Sequence, residues 1–192
     1  MPSTGSISRA AVAGSDFGPC RVLRREQWLD RPIDEVFAFF GSPHNLEAIT
    51  PDWLRFCVVT PGPIDMGAGT RIDYRLRWRG VPLRWTTRIE AWEPPHRFVD
   101  VQLRGPYRLW HHTHTFQEEQ GGTRITDTVL YRMPLGPIGA ALHGLGIRRD
   151  LDAIFDYRTR RVRDLLEPGA VLDAGARTVA NPAVSGLLGP PS

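Results

Sequence analysis

The chain has 192 residues, 41% of them hydrophobic, a formal charge of +3 and a pI of about 9.3. That length accommodates one domain with a sizeable core plus flanking segments, and no apolar run reaches the 18 or so residues of a membrane-spanning helix. All 24 basic residues are arginine. A lysine-free chain rich in Ala, Gly and Pro has the composition of a GC-rich genome, so the high pI is no argument for a nucleic-acid partner.

Cys20 and Cys57 form neither a disulfide framework nor a metal-ligand spacing, the pattern of reduced thiols in a cytoplasmic protein. Residues 1–19 carry no secretory signal and read as a flexible N-terminal segment. Residues 168–192 lack helical or strand periodicity and read as a disordered tail. The folded domain is expected over 20–167.

Within it, Arg21–Leu29 reads as a strand. Pro32–Phe40 follows as a short helix, with Pro in its first turn, Asp34 and Glu35 near its N-terminus and Val36, Phe37 and Phe40 as its apolar face. Pro43–Ile49 predicts a second short helix, and Leu54–Thr60 a strand stopped by Pro61-Gly62-Pro63. Arg71–Arg79 alternates Ile72, Tyr74, Leu76 and Trp78 against charged residues, which gives it one clear inner face. After a turn at Gly80-Val81-Pro82 the alternation resumes with Leu83, Trp85, Thr87, Ile89 and Ala91. The outer face carries Arg71, Arg75, Arg77, Arg79, Arg84 and Arg88. Interrupted by Asp73 and Glu90 and lacking aromatic residues except Trp92, it reads as a solvated face rather than a phosphate-binding one.

Directly opposite residues of an antiparallel pair share a face, so the inner face can be passed from strand to strand. A turn centred on Pro94-Pro95 pairs Ala91 with Phe98, Ile89 with Asp100 and Thr87 with Gln102. A turn at Pro106 pairs Gln102 with Trp110, Asp100 with His112 and Phe98 with His114. A turn between Gln120 and Gly121 pairs Phe116 with Ile125, His114 with Asp127 and Trp110 with Tyr131. Every step places an aromatic and ionisable set inside, though one miscounted turn would reverse all that follows, and the opposite face (Val99, Val101, Leu103, Leu130) is itself apolar. Pro137–Gly146 reads as a Gly-rich shoulder. Asp150–Leu166 is an amphipathic helix, with Leu151, Ile154, Phe155, Val162, Leu165 and Leu166 on its apolar stripe and Arg158, Arg160, Arg161 and Arg163 mostly away from it. At 1.5 Å per residue it is about 24 Å long, enough to cross a sheet.

This order, carried by Arg31-Pro32-Ile33-Asp34-Glu35-Val36-Phe37, Ile89 to Phe98, Phe116 to Asp127, Tyr131 with Pro134 and the terminal helix, resembles the helix-grip (START-like, SRPBCC) superfamily over about residues 20–167. Its bacterial members are often called polyketide cyclase/dehydrase and lipid-transport proteins. The resemblance implies an α+β fold in which a curved antiparallel sheet of six to seven strands wraps a long C-terminal helix, with a tunnel between them for an apolar ligand. It implies less about chemistry, because one fold hosts many functions.

The expected lining is Tyr74, Trp78, Trp85, Phe98, Gln102, Trp110, Phe116 and Tyr131. One long and two short helices supply too few bulky residues to fill the space over that face, which is the stronger argument for a cavity. Two readings of the ionisable residues stand side by side. Asp100–His112 and His114–Asp127 are either hydrogen-bonded core pairs or acid/base dyads able to promote cyclisation or dehydration of a poly-ketone, with Tyr74, Tyr131 or Gln102 donating to an oxyanion. His-x-His is also a metal-ligand spacing, but the resemblance favours neither a metal nor any other cofactor. The expected partner is a hydrophobic small molecule, with no nucleic acid and no stable membrane insertion.

Overall fold

A computed structural model describes residues 20–134 and 146–168. The elements in chain order are β1 (Arg21–Leu29), α1 (Ile33–Phe40), α2 (Asn45–Ala48), a 3-10 turn (Asp52–Leu54), β2 (Cys57–Val58), β3 (Arg71–Trp78), β4 (Val81–Glu93), β5 (Arg97–Arg104), β6 (Leu109–Glu119), β7 (Gly122–Arg132) and α3 (Arg148–Leu166). The N-terminal segment 1–19, nearly all of the Gly-rich shoulder and nearly all of the tail lie outside the described residues. No helix among the described residues is long and apolar enough to cross a membrane.

The seven strands form one antiparallel sheet in the order β1-β7-β6-β5-β4-β3-β2. Two hairpins turn on paired positive-φ residues, Arg79 with Gly80 and Gln120 with Gly121. That is the turn geometry whose twist matches the flanking strands. The first of these corrects the expected turn at Gly80-Val81-Pro82, since Val81 already pairs with Trp78. Strand β2 is also shorter than expected. Leu54 closes the 3-10 turn and Arg55 takes a left-handed φ of 43°, so pairing cannot begin before Cys57.

Helix α3 lies over the β1–β7 side of the sheet. Its Asp152 and Asp156 meet Arg25 at 2.6 and 3.3 Å, and its Thr159 carbonyl accepts from Gln27. Val162 and Leu166 pack with Leu29, Ile33, Val36, Phe37, Phe116 and Ile125, while Leu151 and Phe155 pack with Leu23, Val129 and Tyr131. Removing such side chains from water contributes roughly 1.5–3 kcal/mol each. Leu165 is 39% exposed and stands off the stripe where it was expected.

The β4–β5 register shifts twice, once between Thr86 and Thr87, where Thr86 pairs with Arg104, and once between Ile89 and Ala91. Ile89 pairs with Asp100 and Thr87 with Gln102 as expected, but Phe98 pairs with Trp92 and not with Ala91. A bulge at Glu90 inserts one residue and flips the strand beyond it. Trp92 therefore packs inside against Phe37 and Phe98, at 5.0 and 5.5 Å between ring centroids, and is no part of the arginine face. Arg71, Arg75, Arg77, Arg84 and Arg88 do stand on the solvent side of β3 and β4, whereas Arg79, expected among them, sits in the turn and reaches Asp150 of α3 at 3.1 Å.

Candidate functional site

Helix α3 covers the β1–β7 half of the sheet and leaves a hollow of about 340 Å³ over β3 to β6. One end is closed by Phe39, Phe40 and Leu46 from α1 and α2, the other by Tyr107, Trp110 and Ile147. The walls are mostly apolar, with a polar patch made by Asp100, His112, His114 and Arg158.

Of the expected lining residues, Tyr74, Trp78, Trp85, Phe98 and Trp110 face the hollow. Three are not among those that line it. Phe116 is 1% exposed within the α1 core. Tyr131 packs beneath Tyr107 and Trp110. Gln102 folds over its own hairpin loop, where its amide donates to the Tyr107 carbonyl at 2.7 Å and its carbonyl accepts from the Tyr107 amide at 3.3 Å. The β5–β6 ladder ends at Val101–His111, so the Gln102–Trp110 pair does not form.

Asp100 lies opposite His112 and His114 opposite Asp127 in the ladders, as the strand counting gave. The side chains do not separate into two dyads, however. His112 Nδ1 lies 3.4 Å from Asp100 and its Nε2 3.1 Å from Asp127. His114 Nε2 lies 3.2 Å from Asp100, and its Nδ1 approaches Asp127 at 2.7 Å without hydrogen-bond alignment. Consecutive inward positions of β6 bring the two rings together, tilted by 39° with centroids 3.8 Å apart, and Phe98 stacks on His114 at 4.1 Å. The result is a square of two imidazoles and two carboxylates.

Burial and mutual charge set the protonation of this square. Burial would raise both carboxyls, but His112 and His114 outweigh it and hold Asp100 below its ordinary value, with Arg158 helping. Asp127 is held down for the same reason, His114 contributing most. Imidazoles this close cannot both be charged cheaply. Burial, reinforced by the charge on His114, pushes His112 down. Burial opposes protonation of His114 too, but Asp127 and Asp100 overcome it and lift His114 up. Between the lowered pKa of His112 and the raised pKa of His114 the arrangement is two carboxylates, one imidazolium, one neutral imidazole and the Arg158 guanidinium, with no net charge.

Arg158 was expected to point away from the apolar stripe. Instead it belongs to it. Leu151, Phe155, Arg158, Val162 and Leu166 recur at spacings of four, three, four and four, and that interruption of an inward stripe by a charge was the available signal. The Arg158 guanidinium carbon lies 4.9 Å from the Phe155 ring centroid. The other polar groups at the wall are self-satisfied. Trp78 donates to Asp150 at 2.8 Å, Trp85 donates to Thr87 at 3.0 Å, and the Tyr74 hydroxyl bonds Thr87. Burial keeps Tyr74 protonated, with its pKa pushed well up.

Asp100, His112 and His114 present donor atoms within 4.8 Å of one another. These are ligand types suited to a divalent transition metal, but here His112 Nε2 and His114 Nε2 are hydrogen-bonded to carboxylates of the square.

A family model described as polyketide cyclase / dehydrase and lipid transport matches residues 29–156. The chain belongs to that family. No curated protein sequence matches it. Among solved structures, protein Ms6760 from Mycobacterium smegmatis is similar at 20% identity and TM-score 0.57, over 76% of this chain and 90% of that one. Protein CV1439 from Chromobacterium violaceum is similar at 15% identity and TM-score 0.60, over 77% and 97%. Ara h 8.0201 is similar at 14% identity and TM-score 0.53, over 75% and 98%. Likenesses this distant speak to the helix-grip fold alone, and the family's fold supports binding of hydrophobic ligands in general.

Proposed function

We propose that the protein binds a hydrophobic small molecule, polyketide-, lipid- or aromatic-like, in the hollow between α3 and strands β3–β6, and acts as its carrier. The observation behind this is an aromatic-walled cavity of about 340 Å³ with a polar patch at Asp100, His112, His114 and Arg158, within the ~300–1,000 Å³ range of small-molecule sites. The ligand would set its apolar body against Trp78, Trp85 and Trp110 and its oxygens toward Asp100, His112 and Arg158.

A carrier is favoured over an enzyme because His112 Nε2 and His114 Nε2 are already hydrogen-bonded to Asp127 and Asp100. A general base must come within about 2.6–3.2 Å of the proton it takes. Native mass spectrometry of protein purified from its own host is expected to show a bound apolar molecule. Absence of any such adduct, with no quenching of tryptophan fluorescence across a panel of apolar ligands, refutes the reading.

One observation favours a cyclase or dehydratase as the second reading: His112 is buried, neutral and in the cavity wall, so a ligand that displaced Asp100 from it would meet a proton acceptor. On that reading His112→Ala and His114→Ala abolish turnover while affinity stays within a few-fold.

A further inference from the structure

Arg158 is the one charged member of the α3 stripe that faces the sheet, and it lines the hollow. Its Nε is shut away from solvent and meets no hydrogen-bond acceptor. Among the described residues it forms no ion pair, although Asp127, Asp100 and Tyr74 act on it electrostatically. Those two carboxylates are occupied by imidazoles on the sheet. A guanidinium serving as a structural counter-ion would reach their oxygens, and this one does not.

Arg158 is half-buried with only the Phe155 ring against it, and holding a guanidinium there without hydrogen-bond acceptors costs free energy that a leucine at the same position of the stripe would not. The cost is offset once something in the hollow supplies acceptor oxygens. The planar guanidinium fork fits two oxygens on one planar carbon far better than a lone hydroxyl. Tyr74, protonated and lining the hollow from β3, offers a hydroxyl close enough for Arg158 to act on it electrostatically.

We infer that Arg158 is a recognition residue for an oxyanion, a carboxylate or enolate at one end of an otherwise apolar ligand. This rests on the reading of the hollow as an apolar-ligand site. It narrows the ligand class from hydrophobic molecules in general to acids and enolisable ketones, and it gives the polar patch a direction. The acidic end meets α3 while the hydrocarbon or ring system meets the tryptophans. The two histidines opposite can take up a proton when an anion enters beside Asp100, which keeps the patch near neutrality.

The test is isothermal titration of the full chain with a long-chain fatty acid and with the fatty alcohol of the same length, in the wild type, Arg158→Leu and Arg158→Lys. The wild type is expected to favour the acid by about tenfold or more, the worth of a charge-assisted hydrogen bond. Arg158→Leu should lose that preference while holding the alcohol within a few-fold, and it should melt no lower than the wild type because a half-buried cation without a hydrogen-bonded acceptor has gone. Arg158→Lys should keep part of the preference. Equal binding of acid and alcohol by the wild type, or an acid preference that survives in Arg158→Leu, overturns the assignment and leaves the cavity reading standing. Failure of the wild type to bind either molecule overturns both.

Discussion

Asp127→Asn separates the charge of the central square from its shape. The carboxylate is 8% exposed and sits against both His112 and His114. His114 is also faced by Asp100 from β5, by the His112 ring on its own strand and by Phe40 and Phe98, with Arg158 acting on the square from α3. The raised pKa of His114 contributes stability that is fully present below its ordinary value of 6.5 and is lost as pH rises through its folded value. Asp127 is the largest of the influences that raise it. The depressed pKa of Asp127 itself contributes stability that is present above 3.8, so that part is the same at pH 5.5 and pH 8. His112 is lowered already, and losing Asp127 lowers it further, which again costs more in acid. At pH 5.5 the substitution leaves an imidazolium short of its partner, an error worth about 3–5 kcal/mol. At pH 8 His114 escapes by releasing its proton, and what remains is a disturbed buried hydrogen bond, about 1–3 kcal/mol. Urea unfolding of both proteins at the two pH values measures the difference. Equal losses, or a larger loss at pH 8, would refute this account of the square.

Two further substitutions test how the frame holds the hollow. At Gly122 a β-carbon would overlap the Leu29 carbonyl oxygen and come within 2.7 Å of the Trp28 ring. Gly122→Ala should therefore part the ends of β1 and β7 and cost about 1–3 kcal/mol, read by calorimetry as a Tm lower by roughly 2–4 °C for each kcal/mol. Asp150 in the first turn of α3 accepts from Trp78 at 2.8 Å and from Arg79 Nε at 3.1 Å, tying the β3 end to the helix. Asp150→Ala strands the half-buried Trp78 donor at about 1–3 kcal/mol. It should also loosen one end of the hollow, visible as a red shift in tryptophan emission.

Strands were legible wherever one face meets solvent, because charge then alternates with hydrophobicity. Arg71–Trp78 is the clearest case, and the cross-strand partners His114–Asp127 and Phe116–Ile125 followed from turn counting alone. Helix α1 was legible from its Pro, its acidic first turn and the Val36-Phe37 pair, both of which are buried. What escaped were features without a period. Gln102 reads as a lining residue, but its amide closes the loop to Tyr107, beside a glycine at 105 that leaves room for it. Arg158 was hidden by the rule that arginine belongs outside, which fails where a cavity lets a cation sit among apolar neighbours. Diagonal contacts within the square also have no signature, since strand pairing specifies which residues lie opposite but not how far an imidazole leans.

The bulge at Glu90 shows how one residue decides which side chains the site can use. The β4 partners of Asp100 and Gln102, Ile89 and Thr87, lie before the bulge, while Trp92 lies beyond it and pairs with Phe98. The inserted residue itself stays outside, where Glu90 meets Arg88 at 3.3 Å and His111 at 3.3 Å. Deleting Glu90 closes the ladder into regular pairing, because Ile89, Ala91 and Trp92 then follow one another opposite Asp100, Val99 and Phe98. Ile89 and Trp92 become positions two apart and share the inner face. The deletion should therefore keep Trp92 against Phe37 and Phe98. In urea unfolding it should cost about as little as Glu90→Ala, which keeps the bulge and loses only exposed ion pairs worth about 1 kcal/mol at most. A deletion variant less stable by several kcal/mol, the cost of losing a core tryptophan, would mean that Glu90 does more than absorb one extra residue.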